Sequence, residues 1–221
     1  MASQVIIRAV ARTVAVIVGT TVSYILYDHF RSKRIAVLGR RGVGKTHLIQ
    51  FLSTGSIPIS YRQGIGRKKV PGRRLQLKDL NLKLNDMQDI GGNDYGLWKE
   101  ELNKADFVFY LLRADQLIAH EAEVEASVRQ DLRHIGEWLE QHQAPPKVVI
   151  VGTHCDLDPE YNNLTSDTYG DFYDYFCQLP IVTELVAMAG GRRNVHIILG
   201  SMKDTEQTED IVYRIFKEVE E

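Results

Sequence analysis

Eight residues constrain the fold of this chain more than any others. Gly39-Arg40-Arg41-Gly42-Val43-Gly44-Lys45-Thr46 follows directly on the strand-like run Arg34–Leu38, and a helical pattern of Leu48, Ile49 and Leu52 follows it in turn. A strand, a glycine-rich turn and a helix in immediate succession leave few architectures open. The glycines let backbone N–H groups converge on one point, and the helix offers its positive end to that point. A chain of phosphates is the ligand such a turn accommodates. Lys45 can reach the outer phosphates, the Thr46 hydroxyl can ligate Mg²⁺, and His47 opens the helix beside them.

The rest of the chain alternates short apolar runs with helical patterns, the rhythm of a sheet covered on both faces. Strands are predicted at 34–39, 73–79, 82–88, 106–112, 147–152 and 195–199, and helices at 45–53, 95–104, 119–142, 171–189 and 207–219. Residues 107–112 and 148–151 are apolar without a break, as central parallel strands require. The pair 73–79 and 82–88 alternates apolar and polar residues and reads as an edge hairpin. Basic and acidic residues number 27 and 29, which argues against a nucleic-acid partner. Cys155 and Cys177, the two cysteines, fit neither a disulfide framework nor a zinc site.

Residues 1–30 form a compositionally separate segment before a domain at 31–221. From Ala9 to Tyr27 the only charged residue is Arg12. Nineteen residues in a helix cover about 28 Å, close to the hydrocarbon thickness of a bilayer. A single-pass membrane anchor with the domain on the cytoplasmic side is the expectation. The β-branched content also suits a buried strand or an interfacial helix, and a cleavable signal peptide is a further alternative.

A second carboxylate is needed for Mg²⁺, and Asp89-Ile90-Gly91-Gly92-Asn93 supplies it at the end of a predicted strand. Asp89 is the metal candidate, with Asp86 its rival, and the Gly92 N–H is placed to meet a terminal phosphate. After 148–151 comes Gly152-Thr153-His154-Cys155-Asp156. At this point the sequence resembles the Ras-like small-GTPase superfamily, whose matching motif is [NT]KxD; the Thr-His-x-Asp form resembles Roc-type domains. The resemblance covers about residues 34–220. It implies that Asp156 pairs with guanine, that His154 covers the base where a lysine is usual, and that Thr153 fills the Asn/Thr position. Gly200-Ser201-Met202-Lys203 resembles the family's last loop, which implies that a backbone N–H meets guanine O6 and that the Lys203 stem packs on the ring.

The implied architecture is the three-layer α/β fold of P-loop NTPases, with a six-stranded, mostly parallel sheet and an added N-terminal hydrophobic helix. The implied ligands are GTP or GDP with Mg²⁺, held by Gly39, Arg40, Arg41, Gly42, Val43, Gly44, Lys45, Thr46, His47, Asp89, Gly92, Thr153, His154, Asp156, Ser201, Met202 and Lys203. Thr46 and Asp89 would hold the metal, and Lys45, Asn93 and Arg41 are the catalytic candidates.

Three departures bear on turnover. Asn93 stands where the family has a water-orienting glutamine, and its shorter side chain predicts slow intrinsic hydrolysis. Arg41 fills a P-loop position that is normally small; it either supplies an arginine in cis or points to solvent. The first switch lacks its threonine, since none occurs in 55–88, and Ser60, though early, is a candidate substitute. Partner contacts are expected through 56–74, a basic glycine-bearing stretch, and through 89–98. The aromatic, acidic segment 157–180 either meets a partner or packs on its own domain. A GTPase switch is the leading expectation. A GTP-loaded, non-catalytic membrane receptor subunit, resembling the β subunit of the signal-recognition-particle receptor, is the alternative, and an ATP-driven enzyme is disfavoured by Thr153–Asp156.

Overall fold

The computed structural model describes residues 34–58, 67–165, 168–191 and 193–220. The predicted anchor at 9–27, Ser60, Gly64 and Gly66 lie outside these residues. Among the described residues no helix is long and apolar enough to cross a membrane.

The protein is α/β. Four parallel strands form the central sheet: β1 (Ile35–Leu38), β6 (Phe107–Arg113), β7 (Lys147–Thr153) and β8 (Val195–Leu199), paired in that order. Their near-continuous apolar runs follow from burial on both faces. Alternate residues feed two separate cores. Ala36, Leu38, Val108, Tyr110, Val148 and Ile150 pack toward α2 (Tyr95–Leu102), α4 (Ala122–Glu140), α5 (Tyr169–Gln178) and α6 (Pro180–Met188). Ile35, Val37, Phe107, Phe109, Val149 and Val151 pack toward α1 (Lys45–Thr54), α7 (Thr205–Glu220) and the hairpin β3 (Arg74–Leu77) to β4 (Leu80–Lys83).

The expected six-stranded sheet is not what forms. The stretch predicted as one strand at 82–88 divides into β4 and β5 (Met87–Ile90), and β5 pairs antiparallel with β2 (Arg67–Val70) while lying close beside β1. The division has a local cause. The Gly72 N–H donates to the Asp86 carboxylate at 3.0 Å, and the Leu84 N–H donates to the Arg73 carbonyl at 2.8 Å. A Cβ on Gly72 would stand 2.1 Å from the Leu84 carbonyl oxygen, so only glycine lets the two segments cross. Strand β2 falls in the basic stretch 56–74, where no strand is predicted before residue 73; Arg67, Lys68 and Lys69 are exposed, and its ladder to β5 defines it rather than an apolar face.

The helix predicted at 119–142 starts later, as α4, because Glu121 before it is extended, and a short helix that was not predicted, α3 (Ala114–Ile118), precedes it. The one predicted at 171–189 divides into α5 and α6, because Leu179 is held extended before Pro180, which starts α6. In the aromatic stretch 157–180, Phe172 and Phe176 are buried and Tyr161 and Tyr173 pack against the same core, so most of it serves its own domain. Leu157 and Tyr175 remain exposed.

Candidate functional site

The C-terminal ends of β1, β6, β7 and β8 lie on one rim of the sheet, where open α/β sheets hold their ligands. The octet turns there from β1 into α1. Gly39, Gly42 and Gly44 all have positive φ, at 137°, 84° and 94°. A Cβ on Gly39 would stand 2.3 Å from the Leu111 carbonyl oxygen, so this turn needs its glycine for space as well as conformation. Gly44 is the N-cap of α1, and no acidic residue occupies that helix's first turn. No acidic residue of α1 itself therefore compensates its positive end, which faces the turn.

A cavity of about 370 Å³ opens at this point, lined by Arg41, Gly42, Gly44, Lys45, Thr46, His47, Asp89, Ile90, Gly91, Gly92 and His154. Lys45 is buried, and its ammonium donates to the carbonyls of Gly39 (2.7 Å) and Arg40 (2.8 Å). Burial lowers its pKa to about 8, against the opposing pull of Asp89 and Asp131. Burial likewise lowers both imidazoles on the wall; for His154 the neighbouring Arg113 adds to the effect.

The Thr46 hydroxyl donates to Asp89 at 2.9 Å. Adjacent ligands of an octahedral Mg²⁺, each about 2.0–2.1 Å from the ion, stand about 2.9 Å apart. The two oxygens thus have the spacing of neighbouring ligands on one such ion. Among the described residues no group of three His, Cys, Asp or Glu is arranged to hold a metal. A magnesium here would need oxygens from a bound phosphate to complete its shell.

Gly92 packs directly on the octet: a Cβ there would stand 2.3 Å from the Arg41 nitrogen. The residues that follow turn at once into α2, capped by Asp94, whose carboxylate accepts from the Leu97 N–H at 3.0 Å. Asn93 is exposed and forms no part of the cavity wall. Arg41 is exposed at the wall.

Arg40 does not line the cavity. Its side chain leaves the cavity and its guanidinium grips Asp131 of α4, with Nη2 2.6 Å from Oδ1. Of Arg40, only the backbone remains on the side of the cavity. Asp131 was legible only as an anomaly, a carboxylate at the place where Val128, Leu132 and Ile135 set the apolar stripe of an amphipathic helix.

The loops after β7 and β8 adjoin this cavity. Thr153 is fully buried, its hydroxyl 3.0 Å from the carbonyls of both Val43 and Leu112 and 2.8 Å from His154 Nδ1. Carbonyls only accept, so the two of them share the hydroxyl's one proton, and the tautomer of His154 with a proton on Nδ1 completes the arrangement. Thr153 thereby ties the end of β7 to the octet. His154 follows with φ of 60°, a left-handed conformation that turns the chain into the short 3₁₀ segment Cys155–Leu157. The Cys155 N–H donates to the Gly200 carbonyl at 3.2 Å, which joins this loop to the one after β8. There Ser201 and Met202 are buried, and Met202 lies against Gly44. Lys203 is exposed and Asp156 half-exposed; neither these two nor Ser201 lines the cavity beside Lys45.

No protein-family model and no curated protein matches the chain in sequence.

Proposed function

We propose that the chain is a guanine-nucleotide-binding protein of the Ras-like P-loop class, its domain at 31–221 held to a membrane by residues 9–27. In this reading it binds Mg·GTP, hydrolyses it slowly to GDP, and signals its nucleotide state to a protein partner. The observation that carries the reading is the buried Lys45 ammonium on the loop carbonyls, beside the Thr46–Asp89 pair and the close-packed Gly92. The strand order β1-β6-β7-β8, with β5 next to β1, is compatible with the finer P-loop NTPase architecture.

Each residue has a part in this scheme. The N–H groups of 42–46 and the end of α1 take the α- and β-phosphates, and Lys45 leaves its two carbonyls for the outer oxygens. Thr46 and Asp89 would hold Mg²⁺, which supplies charge neutralisation on the phosphates. Gly92 senses the terminal phosphate. Asp156 selects guanine, His154 covers it, and Ser201, Met202 and Lys203 close the pocket on the base side.

A GTP-loaded, non-catalytic receptor subunit is the second reading, and Asn93 favours it, being exposed and away from the cavity wall. Nucleotide released from gently purified full-length protein, identified by chromatography, separates the two. GDP supports the switch and retained GTP the receptor. If no guanine nucleotide is retained, and none binds when added at millimolar concentration, the proposal fails.

A further inference from the structure

A fully buried carboxylate lies outside the cavity, and three other elements converge on it. Asp131 of α4 has no exposed surface. Arg40 of the octet approaches with Nε 2.9 Å from Oδ2 and Nη2 2.6 Å from Oδ1. Tyr95, the first residue of α2, donates its hydroxyl to Oδ1 at 2.7 Å, and Tyr110 of β6 donates to Oδ2 at 2.9 Å. Arg40 also donates to the Tyr95 oxygen at 2.5 Å and lies 5.5 Å from the centre of its ring. The Tyr95 phenol is pushed up to about 12 by burial and by Asp131, so it stays a donor at any physiological pH. Two-point arginine–carboxylate contacts are strong and directional, and removing one partner of a buried pair is costly.

The position of this cluster relative to Gly92 gives it meaning. Gly92 packs on the backbone of Arg40 and Arg41, while the Arg40 side chain holds Tyr95. The segment 91–95 thus meets the same two loop residues twice, by close packing at Gly92 and by a hydrogen bond at Tyr95, with only Asn93 and Asp94 between. So short a link couples the position of Gly92 to that of Tyr95. The amides at 42–46, which face the inner phosphates, are not bonded to the cluster.

We infer that Asp131 is a positioning residue for the terminal phosphate: through Arg40 and Tyr95 it holds Gly92 in place, and so sets the preference for GTP over GDP. The inference rests on the nucleotide reading proposed above. An ordinary stabilising cluster would instead lower the affinity for both nucleotides alike, or lower only the melting temperature.

The test uses the full-length chain in detergent with Mg²⁺. Affinities for GDP and for a non-hydrolysable GTP analogue are measured alongside the thermal midpoint. Tyr95→Phe keeps the ring and loses the hydroxyl; it should weaken the GTP analogue about fivefold and leave GDP within about twofold. Asp131→Asn should weaken the analogue about tenfold or more, again with little change for GDP. Equal losses for the two nucleotides in Tyr95→Phe, or no loss for either, would overturn the inference. Wild-type protein that binds neither nucleotide would instead overturn the reading beneath it, which the variants alone cannot do.

Discussion

At the β1 end of the rim, position is set by the backbone. Gly39 and Gly92 each approach another main chain so closely that a Cβ would clash, and Lys45 bonds to carbonyls of its own loop. At the β7–β8 end, position is set by single bonds between loops: the Thr153 hydroxyl at the Val43 carbonyl and the Cys155 N–H at the Gly200 carbonyl. The first end presents a formed cavity. The second contributes only His154 to it, with Asp156 and Lys203 off its wall. In the proposed function, grip and selectivity are therefore separable, the former built into main-chain geometry and the latter carried by side chains on adjoining loops.

The sharpest way to break this comparison is to remove the grip. Lys45→Ala should lower affinity for GTP and GDP by about a hundredfold, read by titration with a fluorescent guanine nucleotide, since a buried charge-assisted contact is lost. Asp156→Asn attacks the other end. It should lower GTP affinity about tenfold and reduce discrimination against ATP, leaving Mg²⁺ dependence intact. If instead it abolished the binding of all nucleotides, the two ends would not be separable.

The pH dependence comes next in size. Burial holds Lys45 near 8, and a polyphosphate favours its charged form. Binding must then take up a proton above that pH, so affinity should fall as pH rises beyond 8, by up to about tenfold per unit. The fold itself should gain stability between about pH 8 and 10.5, because there the unfolded chain holds the proton that native Lys45 has released. Chemical denaturation at pH 8 and 10 compares the two, and the Lys45→Ala variant should lose this contribution. The smallest expected effect is that of Asn93→Gln. The added methylene lengthens the reach toward the cavity, and single-turnover hydrolysis should rise several-fold with nucleotide affinity unchanged.

What the sequence made legible follows the same division. The octet, β1, α1 and the central strands were readable because unbroken apolar runs and clustered glycines leave little choice of conformation. Strand β2 was not, since Arg67-Lys68-Lys69 has no apolar face and owes its form to β5. The separation of β4 from β5 depended on Gly72 meeting residues 84–86, a contact between segments that no local pattern reveals. Arg40 and Arg41 look equivalent in sequence. Only the fold, by bringing Asp131 beside the first of them, sends one inward and leaves the other exposed at the cavity.

The account is tested most directly by calorimetric titration of the full-length protein with Mg·GTP and Mg·ATP in turn. It predicts one saturable site per chain for GTP, and little displacement of GTP by ATP at tenfold excess, about 2.8 kcal/mol of discrimination or more. Equal binding of the two, or binding of neither, would contradict it.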